Sequence, residues 1–188
     1  MPEAHTVTSY DDELRFLVRR LSEMGGIAER MVADAVAALV NADTASAQRV
    51  ISEDLLLDSG EREIYDKAVI LIAKRQPMAS DLREVIGSIR IASDLERVGD
   101  LGKNIAKRVI AVHTMAQPRK LVRGLEHLAE LALTQLKEVL DAFATRSPEL
   151  ANSIRERDEE IDAIYTSLFR ELLTYMMEDP RNITACTH

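Results

Sequence analysis

Apolar side chains recur at intervals of three and four residues over positions 14–39, which is the spacing of one face of an amphipathic helix. This pattern predicts a first helix over about residues 11–41. A second stripe of the same period follows it, with Asp43 or Thr44 in the position of an N-cap. Because the residue before a proline is disfavoured in the helical region, the second helix is expected to end before Gln76-Pro77.

Prolines mark the remaining helix boundaries. The third helix is expected to start after Pro77, with Ser80 as its N-cap, and to reach about His113. Breaks at Gln117-Pro118 and Ser147-Pro148 open a fourth helix to about Phe143 and a fifth to about Met177, and Asp179-Pro180 ends the fifth. The pattern as a whole predicts an all-α protein.

The two halves of the chain resemble each other at an offset of 104 residues. Any two amphipathic helices in phase share apolar positions, so matching stripes alone leave chance similarity open. The aspartates favour a true repeat, because Asp54 and Asp58 recur as Asp158 and Asp162. We therefore predict a first three-helix bundle over residues 11–115 and a second bundle over 116–188 that lacks its last helix.

Composition and charge narrow the functional classes. Only 7 of the residues are Phe or Tyr and none is Trp, which favours helices over a strand-rich fold. The net charge of −8 disfavours nucleic-acid binding, because the phosphate backbone would be repelled. The single Cys186 forms no internal disulfide, and no apolar run is long enough for membrane insertion. With no signal peptide at the N-terminus, we expect a soluble cytoplasmic protein.

Carboxylates four residues apart stack on one helix face, where they can share a cation. Five such pairs occur, which is no more than the composition produces by chance, so a purely structural interpretation stays open. The recurrence of the Asp54/Asp58 pair as Asp158/Asp162 favours a site. A third pair, Glu96 and Asp100, lies opposite the apolar stripe of the third helix.

The glycines and the donor types sharpen this hypothesis. Gly99 and Gly102 are costly inside a helix, which indicates close approach of another backbone or of a bound group. All candidate ligands are oxygens, which favours hard or borderline cations. The Glu-x-x-His motifs of di-iron carboxylate proteins are missing, and no nucleophile elbow or nucleotide-binding loop is present, so we expect no catalytic residues.

Three ordered segments carry a resemblance to a known family. They are Gln76-Pro77-Met78-Ala79-Ser80-Asp81-Leu82-Arg83, then Asp94-Leu95-Glu96-Arg97-Val98-Gly99-Asp100 leading into Asn104-Ile105-Ala106, and Asp-x-x-x-Asp at 54–58. With the Leu- and Met-rich first helix, the chain over about residues 11–188 resembles the PhoU family, the accessory proteins of phosphate-specific transport. The resemblance implies tandem three-helix bundles.

The resemblance also implies metal clusters on the bundle surface. Asp54, Asp58, Glu96 and Asp100 would form the first, and Asp158 and Asp162 would contribute to the second. The ion would be iron, zinc, manganese or magnesium. The second cluster is incomplete in this chain, because the family's repeated Glu-Arg-x-Gly-Asp segment belongs to a sixth helix.

The function implied by the resemblance is regulatory. Proteins of the family repress the phosphate-starvation response and restrain phosphate uptake, and are thought to link the ATPase of the phosphate ABC transporter to a phosphate-sensing histidine kinase. The alternatives are a helical metal-binding or scaffold protein unrelated to phosphate and, more remotely, a metalloenzyme. We expect a homodimer, since two helices alone would leave an apolar groove along Leu150, Ile154, Ile161, Leu168, Leu172 and Met176.

Two arginines of the third helix have undecided roles. The simplest expectation for Arg97 is a surface ion pair. Arg83, one turn into the helix, could instead contact Asp81 or a carboxylate of the second helix.

Overall fold

The computed structural model describes residues 3–115 and 119–187, with side chains from Tyr10 onward. The described chain contains helices and no strand. The helices are α1 (Glu3–Asn41), α2 (Thr44–Arg75), α3 (Ala79–Val112), α4 (Arg119–Ala144), α5 (Pro148–Glu156), α6 (Asp158–Glu178) and α7 (Ile183–Thr187), with a 3₁₀ turn at Pro180–Asn182. The predicted break at Gln117-Pro118 lies outside the described residues. The all-α prediction is confirmed.

The ends of the first helices agree with the prediction in part. α1 begins at Glu3 rather than near residue 11, because the apolar stripe marks only the positions that face a core. The predicted N-cap of α2 is confirmed, since the Asp43 carboxylate accepts hydrogen bonds from the backbone N–H groups of Ala45 and Ser46 at 3.0 and 3.1 Å. The Ser80 N-cap was wrong, because α3 already begins at Ala79 and Met78 occupies the cap position.

The predicted fifth helix is two helices, α5 and α6, separated at Arg157. The Nε2 amide of Gln135, on α4, donates a hydrogen bond to the carbonyl oxygen of Ile154 at 3.2 Å. The backbone N–H of Arg157 also bonds to that carbonyl, which closes a three-residue turn in place of the helical bond. A side chain that captures a helix carbonyl is a recognised cause of such a break. The Arg157 guanidinium then pairs with Glu138 of α4.

The main core lies between α1, α2 and α3, which pack against one another along their lengths. Leu21, Met24, Met31, Leu57 and Ile64 are fully buried there. α4 packs on the other side of α1 and carries α5 and α6, which forms the second, smaller bundle. None of the described helices is long and apolar enough to cross a membrane. α2 lies on the side of α1 away from the second bundle. α3 contacts the second bundle through Glu84, whose carboxylate accepts hydrogen bonds from the guanidinium of Arg146 at 2.7 and 2.8 Å.

The apolar groove expected in the second bundle is only partly present. Leu150 is exposed as expected, but Ile154 is buried, and Ile161, Leu168, Leu172 and Met176 are half-buried. The exposed apolar side chains of α6 are instead the next stripe around the helix, Tyr165, Phe169, Leu173 and Met177. The prediction missed this stripe because it assigned the core face of the helix to the groove.

Candidate functional site

The two glycines of α3 bring this helix close to both of its neighbours. A Cβ on Gly102 would lie 3.2 Å from the backbone carbonyl carbon of Met31 in α1, and one on Gly99 would lie 2.1 Å from Cδ1 of Leu57 in α2. The expected approach of another backbone is thus confirmed for Gly102, whereas the close neighbour of Gly99 is a side chain. Gly99 and Gly102 are buried. Because they allow α3 to pack closely, the charged residues next to them, Asp100 and Lys103, lie near α2.

Lys103 connects the predicted carboxylates of α2 and α3. Its ammonium donates to the Asp54 carboxylate and, at 3.0 Å, to Oδ1 of Asp100. Asp54 is 6% exposed, so its charge is compensated mainly by Lys103. The hydrogen bonds to Asp54 and then to Asp100 raise the pKa of Lys103 above its usual 10.5, against the opposing effect of desolvation.

Glu96 lies in the same negatively charged region. Burial raises the pKa of its carboxyl above the usual 4.5, and the charges of Asp100, Glu61, Asp58 and Asp54 raise it further. Together these five residues form what we call the carboxylate cluster. α2 and α3 therefore bring together the four predicted residues Asp54, Asp58, Glu96 and Asp100.

Sequence reasoning missed two members of this region, Glu61 and Lys103. Glu61 follows Asp58 by three residues and Lys103 follows Asp100 by three, so each lies on the same helix face as a predicted ligand. That spacing was available as a signal. The pattern of carboxylates four residues apart, however, includes neither a third acid at another spacing nor a basic residue.

The carboxylate cluster suits a hard cation by its oxygen donors but not by its arrangement. Lys103 already places a positive charge between Asp54 and Asp100. Within residues 3–115 and 119–187, no group of three or more His, Cys, Asp or Glu side chains is arranged so that it could hold a metal ion. In this conformation the residues therefore do not fit a metal cluster, and a divalent ion would have to displace the Lys103 ammonium.

The second predicted pair has different surroundings. Asp158 and Asp162 are both exposed on α6. Asp158 is the first residue of that helix, followed by Glu159 and Glu160, and carboxylates in a first turn interact favourably with the helix dipole. Its described contact is a long hydrogen bond of 3.5 Å from Nε2 of Gln135. Within the described residues, no further carboxylate completes a metal-binding group with this pair.

The arginines of α3 do not make the contacts that were considered for them. Arg83 and Arg97 are exposed and make no ion pair or side-chain hydrogen bond with the described part of the chain. Asp81, the nearest candidate partner of Arg83, accepts a hydrogen bond from the hydroxyl of Tyr10 at 3.1 Å instead. Burial and this hydrogen bond raise the pKa of Tyr10 to about 12.

The fold and the site define an all-α, tandem-bundle protein with a lysine-bridged carboxylate cluster between two helices. A family model described as the PhoU domain matches residues 21–109 and 125–187. The chain belongs to the PhoU family.

Named relatives support this assignment over the whole chain. A protein of Rhizobium meliloti named "Phosphate-specific transport system accessory protein PhoU homolog" is 75% identical over 188 residues, which covers 100% of this chain and 79% of the relative. A protein of Caulobacter vibrioides with the same name is 49% identical over 98% of this chain and 80% of the relative.

Solved structures show the same fold. The crystal structure of PhoU from Pseudomonas aeruginosa superposes with a TM-score of 0.90 at 38% identity, covering 95% of this chain and 85% of that one. The phosphate transport system regulatory protein PhoU from Streptococcus pneumoniae gives a TM-score of 0.82 at 30% identity, covering 90% of this chain and 80% of that one.

Proposed function

We propose that this chain is a regulatory adaptor of phosphate homeostasis. It represses the phosphate-starvation response and restrains uptake by contacting the ATPase of the phosphate ABC transporter and a phosphate-sensing histidine kinase in the cytoplasm. The observation that carries this proposal is the 75% identity, over the full chain, to a relative named as an accessory protein of phosphate-specific transport. The Streptococcus pneumoniae protein is itself named a regulatory protein of the phosphate transport system, which supports the same role.

The surfaces of the bundles suit an adaptor. α4 covers one side of α1, which leaves α2 and the face of α3 that carries Arg83, Arg90 and Arg97 accessible. The α6 stripe exposes Tyr165, Phe169, Leu173 and Met177, with the first two rings stacked at 6.4 Å. We assign this stripe to a homodimer contact. Light scattering on the purified chain tests that part, and a monomer at all concentrations would contradict it.

Gene deletion with complementation tests the regulatory role. In phosphate-rich medium, deletion should raise expression of a phosphate-starvation reporter and increase uptake of labelled phosphate, and the wild-type chain should reverse both. An unchanged reporter and unchanged uptake in the deletion strain would refute the proposal. Expression of an unrelated helical protein from the same promoter controls for nonspecific effects.

Metal binding by Asp54, Asp58, Glu96 and Asp100 is a separate part of the proposal. It requires displacement of Lys103, so elemental analysis should compare the wild type, Lys103→Met and Glu96→Gln/Asp100→Asn after purification without added metal. Iron, zinc, manganese or magnesium in stoichiometric amount, retained in Lys103→Met and lost in the double variant, would support a site. Equal metal content in the wild type and the double variant would contradict it.

A helical metal-binding or scaffold protein unrelated to phosphate is the second candidate. The five carboxylates between α2 and α3 favour it, because a cation that displaced Lys103 would be bound there without any transport partner. Affinity purification with the transporter ATPase and the kinase separates the two. Retained metal with no association and no reporter change would favour the second candidate.

A further inference from the structure

The outer face of α3 carries arginines at a constant spacing. Arg83, Arg90 and Arg97 are each seven residues apart, so they follow one another along the helix at intervals of about 10 Å. All three are exposed, and none makes an ion pair or side-chain hydrogen bond with residues 10–115 or 119–187. Asp94 lies on the same face between Arg90 and Arg97 and is also exposed, so all three guanidinium groups remain available to a partner.

Apolar side chains of α3 and α2 lie beside this row. On α3, the side chains of Leu82, Ile86 and Ile89 lie on the same helix face as Glu96. Glu96 in turn lies beside the carboxylates of α2. On α2, Tyr65 and Val69 continue the face of Asp58. Because the Lys103–Asp54 contact makes these two faces adjacent, the apolar residues of both helices line one surface.

We call this surface the α2–α3 groove and define it by Tyr65, Val69, Leu82 and Ile86. Their exposed fractions are 54%, 45%, 38% and 40%. The second bundle contacts α3 at Glu84, through Arg146, and leaves these four side chains exposed. The groove is therefore an accessible apolar surface with arginines along one border.

We infer that the α2–α3 groove binds an amphipathic helix of a partner protein, with apolar residues in the groove and acidic residues paired with Arg83, Arg90 and Arg97. A groove between two helices accepts the apolar face of a third. The seven-residue spacing of the arginines matches the heptad of a helix packed along α3, so acids at one heptad position of the partner can meet all three. Arginine binds carboxylates through a planar fork with several donors.

This inference deepens the proposed function and rests on it, because it names one docking surface and the chemistry of the partner segment. An anionic bilayer would also attract the arginines. The apolar residues between two helices favour a helical ligand. Binding to lipid without a preference between peptides would contradict the inference.

The test uses two stapled, fluorescently labelled peptides of three heptads with the same Leu residues on the apolar face. One carries Glu and the other Lys at the positions that flank this face. By fluorescence anisotropy the Glu peptide should bind the full chain at least about ten-fold more tightly than the Lys peptide, and its binding should weaken as salt is raised from about 0.05 to about 0.5 M.

Variants locate the binding. Arg83→Glu/Arg90→Glu/Arg97→Glu should remove the preference for the Glu peptide, and Val69→Asp/Ile86→Asp should weaken both peptides. The matched control, Arg30→Glu/Arg155→Glu/Arg170→Glu, reverses three exposed arginines on other helices and should retain the preference. Circular dichroism must show that each variant keeps its helical content, which is expected because every substituted residue is exposed.

Three results would overturn the inference. The first is equal binding of both peptides by the wild type. The second is an equal loss of peptide preference in the arginine variant and in its control. The third is binding of the chain to phosphatidylglycerol vesicles with no preference between the peptides. In cells, the arginine variant should fail to restore reporter repression while the control variant restores it. If the peptide test fails while the wild-type chain represses the reporter normally, only the assignment of the α2–α3 groove is refuted. If the deletion strain shows no change in the reporter, the proposed function itself is refuted.

Discussion

Replacing Lys103 with methionine removes the ammonium between Asp54 and Asp100 and keeps an unbranched side chain of similar length. The Asp54 side chain is 8% exposed and that of Lys103 is 25% exposed. Removing one partner of a fully buried ion pair costs about 3–5 kcal/mol, and an exposed pair contributes about 0–1 kcal/mol. This pair lies between those limits, so we expect Lys103→Met to lower the free energy of unfolding by about 2 kcal/mol.

Urea unfolding followed by circular dichroism measures this difference near neutral pH. Lys107→Met is the matched control, because Lys107 is exposed one turn further along α3 and has no ion pair with the described residues. The raised pKa of Lys103 keeps its ammonium charged throughout the neutral range, and its contribution is lost only as the pH rises through that raised value.

Neutralising Asp54 should remove most of the effect of Lys103→Met. In an Asp54→Asn background the buried negative charge is gone, so Lys103→Met should cost much less than it does in the wild type. An undiminished cost in that background, or a wild-type cost no larger than that of Lys107→Met, would refute the assignment of Lys103 as the counter-ion of Asp54.

Other substitutions test further features. Glu96→Gln should stabilise the protein at neutral pH, because the raised pKa of Glu96 means that its charged form is disfavoured in the folded state. In urea titrations, this gain in the free energy of unfolding should disappear as the pH falls below about 4.5. Gly102→Val should destabilise by about 1–3 kcal/mol in the same assay, since its Cβ meets the α1 backbone at 3.2 Å. Ala42→Gly should raise stability by about 1 kcal/mol, because residue 42 has a φ of 53°, and a lower melting temperature would contradict this.

The features that were predictable from the sequence depend on neighbours in the chain. The Asp43 cap uses the N–H groups of the next turn, so local spacing was sufficient to find it. The all-α fold and the approach of α3 to its neighbours followed from periodicity and from glycines inside a helix. The predicted domain boundaries remain a prediction, and so does metal binding at the carboxylate pairs.

The features that were missed depend on distant residues. Lys103 and Asp54 are 49 positions apart, so pairing between them requires knowledge of how α2 and α3 pack. The break at Arg157 depends on Gln135, 19 positions before the carbonyl that it captures. The prediction of Ser80 as N-cap was wrong for a local reason. Ala79 starts α3 with a φ of 47°, and an alanine in the sequence gives no sign of this left-handed conformation.

The unequal cores of the two bundles have a consequence for amide hydrogen exchange. The first bundle holds almost all of the described buried apolar residues, whereas none of the residues 158–178 of α6 is buried. Segments with few buried contacts exchange through local opening, and well-packed helices exchange only when the whole domain unfolds. Amides of α6 should thus exchange much faster than those at the centre of α1, and any molecule that covers α6 can slow their exchange without changing that of α1.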